Sequence, residues 1–158
     1  MAHQALLKGG ELNAAITSAL VGIQTEYLGR GPRSASTFHY GHVLVTLMHN
    51  VLTPAEKSLT RAGQTDAVDH IRHLFQETME ADFREAVERL TGRKVLAFIS
   101  GNHIDPDIAA ELFILDAPLD GRARSDPGSV DLASSADRGG IATIRPWGTR
   151  DGGRRPRR

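Results

Sequence analysis

A chain of 158 residues, 40% of them apolar and 24% charged, has the size and composition of one globular domain with room for a tail. It contains no cysteine, which excludes disulfides, thiolate catalysis and cysteine zinc sites, and suits a reducing compartment. Residues 1–116 carry a net charge of −4 and residues 117–158 a net charge of +4, so the first part lacks the basic surface that nucleic-acid binding requires.

The first predicted element is a helix over residues 11–27, preceded by a flexible N-terminus over residues 1–10. Its apolar side chains recur every three or four residues, at Leu12, Ile16, Leu20, Ile23 and Tyr27. Gly29 ends the helix and Pro32 prevents its continuation. Polar residues interrupt this stretch, and the N-terminus lacks the features of a secretory signal. We therefore expect a soluble, cytoplasmic protein with no membrane span of its own.

Residues 35–40 and 42–49 are rich in β-branched and aromatic side chains and are separated by Gly41, which predicts a hairpin of two strands. The segment LTPAEKSL at 52–59 then has the pattern of a helix start. Thr53 is a good N-cap, Pro54 suits the first helical position, and Glu56 can complete a capping box. We assign these three residues structural roles.

A long third helix is predicted over residues 67–90, with Thr65 or Asp66 as its cap. Its apolar stripe keeps the helical period for about six turns: Val68, Ile71, Leu74, Phe75, Met79, Phe83, Val87 and Leu90. At ~1.5 Å per residue such a helix is about 36 Å long, which exceeds what the core of a small domain needs. The stripe therefore predicts a partner helix and a homodimer.

Two further strands, residues 94–100 and 108–115, complete the order α-β-β-α-α-β-β. This order predicts an α+β fold, in which two β-hairpins form an antiparallel sheet and the long helix packs on one face. The folded domain is expected to cover residues 11–116. Residues 117–158 are rich in Gly, Arg and Pro without an apolar period, so we predict a disordered tail.

Two loops contain candidate binding residues. In the turn GNHIDPD, His103, Asp105 and Asp107 either bind backbone amides and shape the turn, or hold a metal, a cation or a polar ligand. In GRGPRS, Arg30 and Arg33 flank Gly31 and Pro32. This loop either binds an anion or is a helix stop followed by a rigid turn, and it lacks the Lys-Ser/Thr ending of a P-loop.

The remaining polar residues predict no dedicated chemistry. The pairs His39/His42 and His70/His73 lack the spacing and the acidic partners of a metal site. No nucleophile–base pair and no dinucleotide fingerprint can be assembled from the chain. We therefore predict no catalytic residues, no metal and no cofactor, and consider an enzyme the least favoured class.

Four motifs in order resemble the MpsC-like domain family: GRGP at 29–32, LTPAEKSL at 52–59, LTGRKV at 90–95 and HIDPD at 103–107. The family is named for a subunit of a Na⁺-translocating membrane-potential-generating system. The resemblance covers residues 11–116 and departs from the family at the hairpin turn His39–His42, where an acidic or aliphatic stretch is expected.

The resemblance implies a non-enzymatic accessory or regulatory domain, associated with membrane subunits that translocate cations or take up inorganic carbon. It implies no catalytic residues. A different class remains open, a small-ligand or ion-sensing domain that uses the loops at 29–33 and 101–107.

Overall fold

Seven elements follow one another in the predicted order. The computed structural model of the chain describes residues 7–120. The elements are α1 (Gly9–Leu28), β1 (Ser34–Tyr40), β2 (Val43–His49), α2 (Pro54–Arg61), α3 (Thr65–Thr91), β3 (Val95–His103) and β4 (Ile108–Leu115). The predicted α+β class and the order α-β-β-α-α-β-β are confirmed.

The helix ends follow local chemistry that is legible in the sequence. Gly29 and Gly92 end α1 and α3 in the left-handed conformation, with φ of 72° and 65°. At the start of α2, Thr53 Oγ1 accepts from the amide of Glu56 at 3.2 Å. The amide of Thr53 donates in return to Glu56 Oε2 at 2.6 Å. The predicted capping box is therefore present.

Three predicted element ends differ from the structure by two residues or more. Helix α1 begins at Gly9 instead of residue 11, and β3 continues to His103 instead of residue 100. Helix α3 begins at Thr65 with Gln64 at its cap and no side-chain capping bond, so neither Thr65 nor Asp66 caps it. The start of α3 is set by the turn that precedes it. The amide of Gln64 donates to the carbonyl of Leu59 at 2.9 Å, and this backbone contact fixes where the helix begins.

The two hairpins join into one antiparallel sheet of order β1-β2-β4-β3. Helices α1 and α3 pack together on one face of this sheet, with α1 against β1 and α3 against β3. Their buried side chains meet those of the strands in one core, formed by Leu12, Ile16, Leu20, Leu44, Met48, Val51, Met79, Phe83, Ala86, Val87, Val95, Ala109, Phe113 and Leu115.

The long stripe of α3 is largely used inside the chain. Met79, Phe83 and Val87 belong to the same core as the apolar face of α1. Leu74, which is 48% exposed, is the large apolar side chain of α3 that stays at the surface. The partner of the stripe is therefore α1 together with the sheet. Its length gives no reason to infer a second α3.

The body extends slightly past the predicted boundary at residue 116. The amide of Leu119 donates to the carbonyl of Gly41 at 3.1 Å, and the Leu119 side chain packs against the core. Between residues 7 and 120, no helix is long and apolar enough to cross a membrane. The predictions of a flexible N-terminus and a disordered tail otherwise concern residues 1–6 and 121–158, which lie outside the described residues.

Candidate functional site

The two candidate loops meet at one short segment, residues 50–52, which leads from β2 into α2. Arg30 reaches this segment from the end of α1. Its Nη1 donates to the carbonyl of Leu52 at 2.6 Å, and its Nη2 donates to the carbonyl of Asn50 at 3.0 Å. The guanidinium thus uses two donors on backbone oxygens, which makes Arg30 a structural tie between α1 and the connection into α2.

Asp107 reaches the same segment from the start of β4. Its Oδ1 accepts from the amide of Val51 at 2.9 Å, and its Oδ2 accepts from the amide of Leu52 at 3.1 Å. The amide of Asn50 also donates to the carbonyl of Asp107 at 2.9 Å. Because Val51 and Leu52 are buried, the carboxylate satisfies donors that water does not reach.

The other residues of the GRGP loop shape the turn after α1. A Cβ at position 31 would lie 2.8 Å from Thr25 Oγ1, so Gly31 allows a close approach that a larger residue would block. The amide of Arg33 donates to the carbonyl of His49 at 2.9 Å, which begins the pairing of β1 with β2. The exposed Arg33 and the half-buried Pro32 lie beside this turn.

His103 and Asp105 take different positions from Asp107. The Nδ1–H of His103 donates to the carbonyl of Pro106 at 2.8 Å, which closes the turn between β3 and β4. Asp105 lies in a groove of about 270 Å³ together with Lys57 and Arg61 of α2. Asp107 lines the same groove, whereas Arg30, Arg33 and His103 do not.

The basic residues of this groove were missed by sequence reasoning. Lys57 Nζ donates to Asn50 Oδ1, and Arg61 is one helical turn further along α2. They lie within or just after the motif LTPAEKSL, where the capping pattern drew the interpretation to the helix start. The signal that could have found them is their i, i+4 spacing, which places both on one face of the short helix.

The third motif, LTGRKV, builds the turn from the C-terminal end of α3 into β3. Lys94 Nζ lies 2.7 Å from Glu88 Oε2, while Glu88 Oε1 accepts from the amide of Val95 at 2.9 Å. The hydrogen bond from Lys94 keeps the pKa of the Glu88 carboxyl below its usual value. This motif therefore supports the fold and takes no part in the groove.

A row of polar side chains crosses the sheet beneath the helices and was not predicted. Thr37, Thr46, Glu111 and Ser100 are neighbours on the four strands in order. The hydroxyls of Thr37 and Thr46 lie 2.8 Å apart. Glu111, which is 2% exposed, interrupts the apolar inward positions of β4, so the signal for this row was present in the sequence.

A charged side chain of α3, Arg72, lies near Glu111 of this row. Arg72 of α3 donates to Asn102 Oδ1 at 3.1 Å, and its Nη1 lies 3.6 Å from Glu56 Oε1 in a buried ion pair. Burial raises the pKa of Glu111 to about 7, and the neighbouring Ser100 and the charge of Arg72 oppose this rise. Glu111 Oε2 has no hydrogen-bond partner among the described residues.

The described residues contain no group of three or more His, Asp or Glu side chains that could hold a metal ion. His73 instead lies 3.3 Å from Glu77 on the exposed side of α3. The Nδ1 of His39 lies 2.9 Å from Asn13 Oδ1 on α1. His39 and His73, one from each histidine pair of the sequence, therefore contact different residues in different parts of the fold.

Comparisons with known proteins give one family and one relative. A family described as "Na+-translocating membrane potential-generating system (MpsC)" matches residues 8–117. The chain is 24% identical over 100 residues to an uncharacterised protein, YrhF, of Bacillus subtilis (strain 168), a match that covers 62% of this chain and 82% of the relative. No solved structure matches this chain.

The family match begins just before α1 and ends just after β4, so it includes the whole sheet, all three helices and the four motifs. The suspected resemblance is thereby confirmed. The chain belongs to the MpsC family.

Proposed function

We propose that this chain is a non-enzymatic accessory or regulatory domain that acts in the cytoplasm with a membrane system for cation translocation, or for the related uptake of inorganic carbon. The observation that carries the proposal is the family match over residues 8–117, because the family description names a Na⁺-translocating system that generates membrane potential. The match spans the complete fold, so the association is proposed for the domain as a whole.

The roles of the motif side chains favour binding over reaction chemistry. The charged groups of Arg30 and Asp107, which sequence patterns singled out, contact backbone groups of residues 50–52. A catalytic acid, base or nucleophile needs free access to a substrate atom. The motifs therefore support a rigid surface around α2 that a partner protein can recognise.

A homodimer is part of this proposal, with a contact surface other than the α3 stripe. A dimeric accessory domain presents two copies of the α2 surface, which increases its apparent affinity for membrane subunits that are themselves paired. The buried packing of Met79, Phe83 and Val87 removes the reason to place the contact on α3.

Co-purification tests the association. The full-length chain is expressed together with the membrane subunits of a cation-translocating system from the same source and purified in mild detergent through a tag on those subunits. We expect the chain to be retained in fixed proportion. Charge reversal of Lys57 and Arg61 is expected to reduce its retention, while reversal of the exposed Arg89 on α3 serves as the matched control.

The second candidate function is that of a small-ligand or ion-sensing domain, and one observation favours it. Lys57, Arg61 and Asp105 line a groove of about 270 Å³, at the lower limit of the size of small-ligand sites. The loop at 101–107 thus contributes through Asp105, whereas Arg30 of the loop at 29–33 is engaged elsewhere.

Ligand-dependent melting separates this candidate from the accessory role. A ligand that binds only the folded state raises the melting temperature. Sodium, bicarbonate, phosphate and nucleotides are tested one at a time against the wild type and the variant Lys57→Ala/Arg61→Ala. A rise that the double variant abolishes supports sensing, and equal melting in every solution contradicts it.

A further inference from the structure

The second face of the sheet is open within the described part of the chain. Helices α1 and α3 pack on the face that carries Leu44, Met48, Ala109 and Phe113. The opposite face presents the alternate residues of each strand, and none of the described helices packs on it. Antiparallel sheets commonly leave one face to water, but then that face is usually polar.

Most of this open face is apolar. Its apolar part consists of three rows across β1, β2, β4 and β3: Tyr40–Val43–Ile114–Ala97, Phe38–Val45–Leu112–Ile99 and Ser36–Leu47–Ala110–Gly101. A fourth row, Ser34–His49–Ile108–His103, forms a polar end. Phe38 is 49% exposed, Tyr40 50% and Ile99 61%. No charged residue occupies the three apolar rows. By contrast, the outer side of α3 is occupied by charged residues such as Glu77 and Arg89.

The area of the face is suited to a protein interface. Four strands at a spacing of ~4.8 Å and three rows at a spacing of ~6.8 Å (two residues each) give a flat projection of about 390 Å² for the apolar part. Contiguous apolar patches on monomers rarely exceed a few hundred Å². Side-chain relief raises the accessible area above the flat value, toward the roughly 600–800 Å² per partner that a stable interface buries.

We propose that the open face of the sheet, centred on Phe38, Val45, Leu112 and Ile99, binds the same face of a second copy of this chain. This inference rests on the homodimer of the proposed function and gives it a surface. An uncharged face selects an equally uncharged partner, because a charged group brought against it would lose water without gaining a partner. A second copy supplies such a face, and two-fold dimers are the commonest assemblies.

The distribution of large and small side chains favours one two-fold arrangement. In the outer rows the large Tyr40 on the β1 edge corresponds to Ala97 on the β3 edge, and Ser36 corresponds to Gly101. In the central row Phe38 corresponds to Ile99. A two-fold axis parallel to the strands places the β1 edge of one copy over the β3 edge of the other. The large side chain of Tyr40 then lies over the small side chain of Ala97 of the other copy. An axis perpendicular to the strands, passing through the central row, would instead oppose Phe38 and Ile99 each with the same residue of the other copy and would oppose Tyr40 with Ser36.

The mass of the full-length chain in solution tests the surface. Light scattering over a micromolar concentration series is expected to give twice the monomer mass, and Ile99→Lys is expected to give the monomer mass. Leu74→Lys is the matched control, since Leu74 is a similarly exposed apolar residue on α3. A monomeric wild type overturns both the homodimer and its surface. A dimer that Leu74→Lys dissociates and Ile99→Lys leaves intact overturns the surface alone, and neither result bears on co-purification with membrane subunits.

Cross-linking tests the orientation and does not depend on the folding of Ile99→Lys. The chain has no cysteine, so single-cysteine variants give an unambiguous signal. A short bis-maleimide is expected to link an equimolar mixture of Tyr40→Cys and Ala97→Cys chains, and to leave each variant unlinked when it is alone. Phe38→Cys alone is also expected to stay unlinked. Linkage of Phe38→Cys to itself overturns the proposed axis, and absence of linkage both in the mixture and in Phe38→Cys alone overturns the face-to-face contact.

Discussion

At the scale of single residues, the two aspartates of HIDPD have separate roles although they are two positions apart. Asp107 accepts hydrogen bonds from two buried amides, those of Val51 and Leu52. Asp105 is exposed on the groove beside α2. Asp107 therefore binds backbone amides, but those of the distant connection between β2 and α2 and not those of its own turn. A binding role remains a proposal for Asp105.

Replacing each aspartate by alanine separates these roles. Asp107→Ala is expected to reduce the free energy of unfolding by about 2–4 kcal/mol, because it leaves two buried donors without acceptors. Asp105→Ala is the control, and its effect is expected to stay within about 0.5 kcal/mol. Urea unfolding of both variants measures the difference. Equal losses in the two variants would contradict the structural role of Asp107.

Glu111 makes stability depend on pH in an unusual direction. Its pKa is about 7 in the folded chain and near the ordinary 4.5 when unfolded, so the folded state binds the extra proton between these values. Stability is therefore fully present below pH 4.5, decreases as the pH rises towards 7, and levels off above. Glu111→Gln removes this dependence.

The variant Glu111→Gln is expected to exceed the wild type in free energy of unfolding at pH 8, by up to about 3 kcal/mol. Near pH 4 the two proteins are expected to be equally stable. Urea titrations at a series of pH values measure the difference. A constant difference across that range would show that the carboxyl does not change protonation on folding.

At the scale of elements, the sequence specified the helix ends that depend on local chemistry. Gly29, Gly92 and the Thr53–Glu56 capping box act within a few residues, so their signals are readable without the fold. The start of α3 depends instead on the turn that joins it to α2. Here the backbone contact of Gln64 with Leu59 outweighed the capping propensity of Asp66.

The buried ion pair of Arg72 and Glu56 joins three elements, since Arg72 also donates to Asn102 of β3. Arg72→Ala leaves the Glu56 carboxylate buried without its cation, so a loss of about 3–5 kcal/mol in the free energy of unfolding is expected. The exposed Arg89 on the same helix provides the control variant Arg89→Ala. Chemical denaturation of both gives the comparison, and a loss below about 1 kcal/mol for Arg72→Ala would refute the tie.

At the scale of the whole molecule, the periodicity of apolar residues predicted a helix layer on a sheet, but not which element packs against which apolar surface. Strand β2 has apolar side chains on both sides: Leu44 and Met48 lie in the core, while Val45 and Leu47 lie on the open face. The stripe of α3 looked too long for one domain because sequence does not show that α1 packs along it. The surplus apolar surface of this chain lies on the sheet.

The polar features of the molecule were the hardest to foresee. Arg30 and Asp107 were found as motif residues, but their shared target at residues 50–52 is 20 or more positions away from either. The row from Thr37 to Ser100 depends on the strand order β1-β2-β4-β3, which local patterns do not encode. Long-range pairing thus decided which polar groups became structural and which stayed available for binding.

The proposed accessory role is tested most directly by the membrane potential that a cation-translocating system generates with and without this chain. Inverted membrane vesicles carrying the membrane subunits are assayed with a potential-sensitive dye as sodium is added. We predict that the sodium-dependent potential decreases when the full-length chain is omitted and returns when purified wild-type chain is supplied. An identical potential in the presence and absence of the chain would contradict the account.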